Sequence, residues 1–268
     1  MSEIVVFFAC WAQLLLGLIG PLVLLGLIVE GAYRLIFWLL GQRAGRVLWW
    51  TSCFLGTPAH EAGHALMCLL FAHRIERVRL FPTRAGNAMV QHSYRKSNPY
   101  AVLGNFFIGL GPIVLILALV YLVLYWIAPQ SMQEFRSVLL SVREAPGQLL
   151  VGAFDFFVEL VCEQSRAIWA RLVALAALLS LSLHVRLSPA DVRSMCRAIP
   201  LLLLLSGGAA GVFVLLGETA RHALYFFLSE AVLTCGVIAS PLLVIVLIQL
   251  ILAMLWRLVC AIAHALFA

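Results

Sequence analysis

The sequence predicts an all-α polytopic membrane protein of about six transmembrane helices, with a small membrane-associated β-hairpin after the second of them. Three observations lead there. Of 268 residues 64% are hydrophobic and only 11% charged, against about 45–50% and about 25% in soluble domains. Mean hydropathy is +1.06, and the apolar residues fall into runs of spanning length separated by short polar segments. A soluble globule, a secreted disulfide scaffold and a disordered chain are all excluded by this composition.

The elements follow in chain order. A spanning helix needs about 20 mostly apolar residues. Ile4–Val29 meets that and is closed by Glu30. With neither a basic leader nor a small-residue cleavage site, this run reads as a retained helix and not a signal peptide. Tyr33–Leu40 is amphipathic and too short to span alone. Val47–Ala72 is long enough but holds His60, Glu61 and His64 near its middle. Tyr100–Ile127, Ile168–Val185, Ile199–Leu216 and Ala231–Leu255 complete the expected six. The organisation is therefore 1–46, an N-terminal helix with an amphipathic segment; 47–200, a membrane core with an interfacial insertion at 128–166; and 201–268, the C-terminal helices.

The formal charge of +6 comes from 17 arginines and one lysine, Lys96, against 12 acids. Most of the arginines lie between apolar runs, where headgroups and topology account for them. The partner implied is the lipid bilayer, and nucleic acid is not expected. His73–Pro99 holds six of the basic residues, Arg74, Arg77, Arg79, Arg84, Arg95 and Lys96. Under six spans its face carries more Lys and Arg than the opposite one, so the positive-inside rule makes it cytoplasmic. Within it, Val78–Phe81 and Ala88–Tyr94 are short and partly alternating, with the turn-forming Arg84-Ala-Gly-Asn87 between them. That reads as a hairpin or as an irregular basic loop on headgroups. The seven cysteines are scattered, with no CxxC pair, and read as small packing residues.

His60-Glu61-Ala62-Gly63-His64 is an HExxH motif. Residues four apart share one helix face, so His60 and His64 can offer imidazole nitrogens to one metal ion. Glu61 then projects where it can take a proton from water. Three ionisable groups within five positions of an apolar run are costly in a bilayer without a compensating partner, and a divalent cation is one. The blander reading is a polar helix face paired with other buried polar groups.

Two imidazoles and a carboxylate would complete a catalytic zinc arrangement. Asp191 is the first candidate for the third ligand. It follows a span and the Ser188-Pro189 pair, which can turn the chain inward, and it equally suits an acid capping a helix start. His184 is the alternative ligand, or a core histidine supporting the site. Asn105, in Asn105-Phe-Phe-Ile-Gly-Leu-Gly-Pro112, can donate to a developing oxyanion or bond between helices. Gly109, Gly111 and Pro112 would let helices approach closely, and Pro58 would kink the start of the motif helix, with Thr57 and Ser52 re-satisfying freed carbonyls. Ser206–Gly211 is a small-residue packing face.

Taken together, the HExxH motif, the hairpin-like Val78–Tyr94 after it and the Gly-Pro-containing segment from Asn105 to Pro112 resemble the site-2 protease family of intramembrane zinc metalloproteases. The likeness covers roughly residues 47–200. It implies a divergent, minimal member that hydrolyses a peptide bond of a membrane-embedded or membrane-proximal protein substrate. It further implies Zn2+ on His60, His64 and Asp191, Glu61 as general base, and an assisting role for Asn105. The family's third ligand usually stands before glycine, whereas Val192 follows Asp191 here. The expected location is a bacterial cytoplasmic (inner) membrane, with the site toward the cytoplasmic side. Two other classes fit part of the pattern. One is a non-catalytic protein keeping a zinc-binding protease fold for assembly, which would typically lose the motif glutamate. The other is a metal or proton transporter, which more often shows repeated halves.

Overall fold

The computed structural model describes residues 2–83, 87–141, 148–162 and 166–267. It is helical apart from one two-stranded sheet. The first apolar run is not one helix. It divides at Ile19 into α1 (Glu3–Leu18) and α2 (Gly20–Ser52), because Pro21 opens a new helix where its missing N–H costs nothing. α2 continues through the amphipathic segment to Ser52, broken only at Gly41, whose φ of 67° favours glycine.

The turn Cys53–Leu55 separates α2 from α3 (Gly56–Leu70), which carries the HExxH motif. The hairpin follows as β1 (Arg74–Arg79) and β2 (Met89–Ser93). They are antiparallel, with Val78 opposite Val90 and Ile75 opposite His92, and an irregularity falls between Ile75 and Arg77. The expected turn at Arg84–Asn87 lies largely outside the described residues. α4 (Pro99–Ile127) is the most buried long element and forms the centre of the core through Phe106, Leu110, Ile113, Ile116 and Val120.

The 128–166 region contains α5 (Pro129–Ser141) and α6 (Gln148–Cys162), joined by stacking of Phe135 on Phe156 at 5.1 Å between ring centroids. Arg136 of α5 pairs with Glu230 of the last helix. Next come α7 (Ile168–Ser182), the short α8 (Pro189–Cys196), α9 (Ile199–Leu215) and the long α10 (Glu218–Phe267). The small-residue face of α9 receives Trp11 of α1, whose indole N–H donates to Ser206 Oγ at 2.8 Å.

Three helices, α2, α4 and α10, are long and apolar enough to cross a membrane. α8 and α9, bent by 59° at a short break, supply a fourth if taken as one span. The motif helix α3 and α7 have 15 residues each, about 22 Å at 1.5 Å per residue, against a hydrocarbon core of about 30 Å. The run Val47–Ala72 is therefore one apolar stretch in sequence but two elements in space, divided where Pro58 and Gly56 favour a helix start.

Candidate metal centre

The motif helix is fixed from outside at its start and along its flank. At its start the Ser180 hydroxyl of α7 accepts from the backbone N–H groups of Leu55 and Gly56 and donates to Ser52 O. A foreign side chain thus supplies the cap that Leu55 lacks. Along its flank α3 lies directly on α4. A Cβ built on Gly63 would come within 2.6 Å of the Gly111 carbonyl and Pro112 Cα. The middle glycine of the motif and the Gly-Pro pair of α4 are complementary surfaces.

This close crossing brings the His64 ring to the α4 backbone, where Nδ1–H donates to Ile108 O at 2.8 Å. The His60 Nδ1–H donates to His184 O at 2.9 Å. A carbonyl only accepts, so each ring carries a hydrogen on Nδ1, and in the neutral imidazole Nε2 is then bare. Both bare nitrogens face Asp191: His64 Nε2 lies 3.2 Å from Oδ1 and His60 Nε2 lies 3.9 Å from Oδ2. Two ligand atoms about 2.0–2.1 Å from one tetrahedral ion stand about 3.3 Å apart, and these separations bracket that value. Ring N–H groups held by backbone carbonyls are also how metal-bound histidines are usually oriented. His60, His64 and Asp191 therefore fit a divalent ion.

Asp191 arrives because the chain between α7 and α8 is pinned. Leu187 N–H donates to Gly26 O of α2 at 3.1 Å, and a side chain at Gly26 would collide with Leu187 and Ile113. Ser188 then caps α8 in a capping box: its Oγ accepts from Asp191 N–H, and Asp191 Oδ2 accepts from Ser188 N–H at 2.8 Å. The two roles open to Asp191 in the sequence are thus compatible. Its carboxylate caps the helix and faces both imidazoles.

Glu61 lines the same cavity of about 550 Å³, with His60, His64, Asp191, His184 and Arg186. Asn87, Ala88, Met89 and Val90, leading into and along β2, form another wall. His184 is not placed as a ligand. Its Nδ1–H donates to Ser180 O at 2.9 Å and its Nε2 accepts from the Thr57 hydroxyl at 3.0 Å, so both ring nitrogens are engaged. Its contribution is the backbone carbonyl that orients His60. Thr57 consequently serves His184, whereas Ser52 Oγ does return to a carbonyl, Trp49 O. Asn105 is buried in α4 and does not join the described residues lining the cavity. Its amide N–H donates within its own helix, to Val102 O at 3.0 Å, and its Oδ1 is buried without a hydrogen-bond partner among the described residues.

Sequence reading missed a second shell of charge. Glu30 of α2, 8% exposed, accepts from Arg34 Nε at 2.7 Å and Arg186 Nη1 at 2.8 Å. The Arg186 guanidinium also lies 4.0 Å from the Tyr33 ring centroid. A lone acid closing an apolar run was the available signal; its arginine partner 156 residues away was not.

No protein-family model matches the chain, and comparison with curated proteins and with solved structures returns no match.

Proposed function

We propose that the protein is an intramembrane zinc-dependent endopeptidase of site-2 protease type, cutting a membrane-embedded or membrane-proximal protein substrate. The observation that carries this reading is the convergence of two bare Nε2 atoms and one carboxylate, beside Glu61, with each Nδ1 held by a backbone carbonyl. Zn2+ is the ion suited to two imidazoles, one carboxylate and an open position. Held by His60, His64 and Asp191, it would supply Lewis acidity to water and to the scissile carbonyl.

The chain's own groups do the rest. Glu61 has no hydrogen-bond partner among the described residues, so its carboxylate is free to accept a proton from water and pass it to the leaving amine nitrogen. Asp191, fixed by the capping box, keeps the two imidazoles aimed at one point. A helical peptide bond is internally bonded and shielded, so a transmembrane substrate must be unwound locally. β2 belongs to a two-stranded sheet and its approach walls the cavity, which supports strand addition as the way an extended substrate is held.

In this reading the molecule sits in a bacterial cytoplasmic membrane with the hairpin and cavity toward the cytoplasm. Six spans result if the bilayer thins around the short helices α3 and α7, a modest cost per ångström of mismatch. The test is Glu61→Gln assayed on a co-expressed membrane substrate. The variant retains its metal and loses cleavage by about 10²-fold or more. Undiminished cleavage by Glu61→Gln rules out the role of Glu61.

A further inference from the structure

One turn beyond His64, on the same face of α3, stands Cys68, fully buried and without a hydrogen bond among the described residues. α3 ends two residues later. Ala72 takes a φ of 55°, and His73 N–H returns to Cys68 O at 2.9 Å, which folds His73 back over the cysteine. His92 comes from β2, opposite Ile75. A nitrogen of each imidazole and Cys68 Sγ all lie within 4.8 Å of one another.

The hydrogen bonds fix which atoms face inward. His73 Nε2 is 2.7 Å from Ala101 O and must carry the hydrogen it donates there. Its Nδ1 is then bare, and it stands 2.9 Å from His92 Nδ1. Two ring nitrogens this close need a proton or a cation between them. The sulfur beside them and the carbonyl-held N–H of His73, the same device that orients His60 and His64, favour the cation. The Tyr94 ring, stacked on His73 at 4.7 Å between centroids, keeps the imidazole in this plane.

We propose that Cys68, His73 and His92 form a second metal site, taking Zn2+ on one thiolate and two imidazoles, and that it clamps the hairpin to the motif helix. The donor set is softer than that of His60, His64 and Asp191 and suits a thiophilic d10 ion. Cys68 stands one turn beyond His64, about 6 Å along the helix, and the two donor sets share no residue. The clamp joins the end of α3, β2 and, through Ala101 O, the start of α4. It thereby sets the position of the strand that walls the cavity. The proposal stands whether or not the protein is a protease.

Cobalt separates the two sites, because only the second contains sulfur. Full-length protein in detergent is stripped with a chelator and titrated with Co2+. The expected result is a thiolate-to-cobalt charge-transfer band in the near ultraviolet. It is lost in Cys68→Ser and in His92→Ala and kept in His60→Ala. Metal analysis gives two ions per chain in the wild type and one in Cys68→Ser. Absence of the band from the wild type, or its persistence in Cys68→Ser, overturns the proposal. X-ray absorption on the zinc-loaded wild type requires no variant to fold: a sulfur at about 2.3 Å is expected, and a shell of nitrogen and oxygen alone overturns it.

Discussion

Asp191 is asked to do two things at once, and substitutions can divide them. Its Oδ2 caps α8 through Ser188 N–H while the same carboxylate faces His60 and His64. Asp191→Asn keeps an oxygen for the cap and removes the negative charge from the metal side. It is expected to melt close to the wild type while binding less than one metal ion at the His60–His64 site. Asp191→Ala loses both roles and should fall a further ~1 kcal/mol in stability, the usual worth of a cap. Thermal unfolding in detergent and metal analysis of the two variants read the roles separately. Equal metal content in Asp191→Asn and wild type would reduce Asp191 to a cap. His184 makes the complementary point. From sequence it is one more candidate ligand, and only its two engaged nitrogens and its carbonyl on His60 show that it supports the site instead.

At the scale of elements, the site depends on how closely α3, α4 and α8 can approach. Gly63 and Gly111 touch backbone to backbone, and Gly109 leaves room for Met195 and the Asp191 carbonyl. Gly63→Ala puts a methyl 2.6 Å from the Gly111 carbonyl carbon, where only backbone can yield. It should cost about 1–3 kcal/mol, as overpacking does, and draw His64 away from Ile108 O. Melting temperature and metal affinity should therefore fall together. An unchanged affinity would mean that the crossing does not orient His64. Much of this was legible in the sequence. HExxH spacing fixes a shared face because 3.6 residues make a turn, and clustered glycines next to Pro112 announce a close crossing. The division of Val47–Ala72 into two elements, and of Ile4–Val29 at Pro21, was not legible from apolar content alone. Hydropathy sums side chains, whereas the breaks come from the backbone: a proline without an N–H, and a serine from α7 capping Gly56 across 124 residues. Asn105 lies outside the described lining of the cavity for a related reason. Its helix was anticipated, but which face meets α3 depends on the packing of Gly111 on Gly63.

For the whole molecule, the geometry ties the hairpin to the site whichever way the chain is oriented. The basic segment and the site need not share a side in a sequence of alternating spans. Here the hairpin and the site are adjacent, since Asn87–Val90 and Ala190 line one cavity. Ser97, beyond β2, and Ala190, at the start of α8, are both exposed. In a chain cleared of its native cysteines except the fully buried Cys68, Ser97→Cys and Ala190→Cys should react with a membrane-impermeant maleimide from the same side. Under the proposed orientation, with the basic segment 73–99 toward the cytoplasm, labelling is expected in inverted vesicles and not in intact cells. Labelling of both from outside would reverse the orientation and leave the cavity intact. Labelling from opposite sides would break the link between hairpin and site on which strand addition depends.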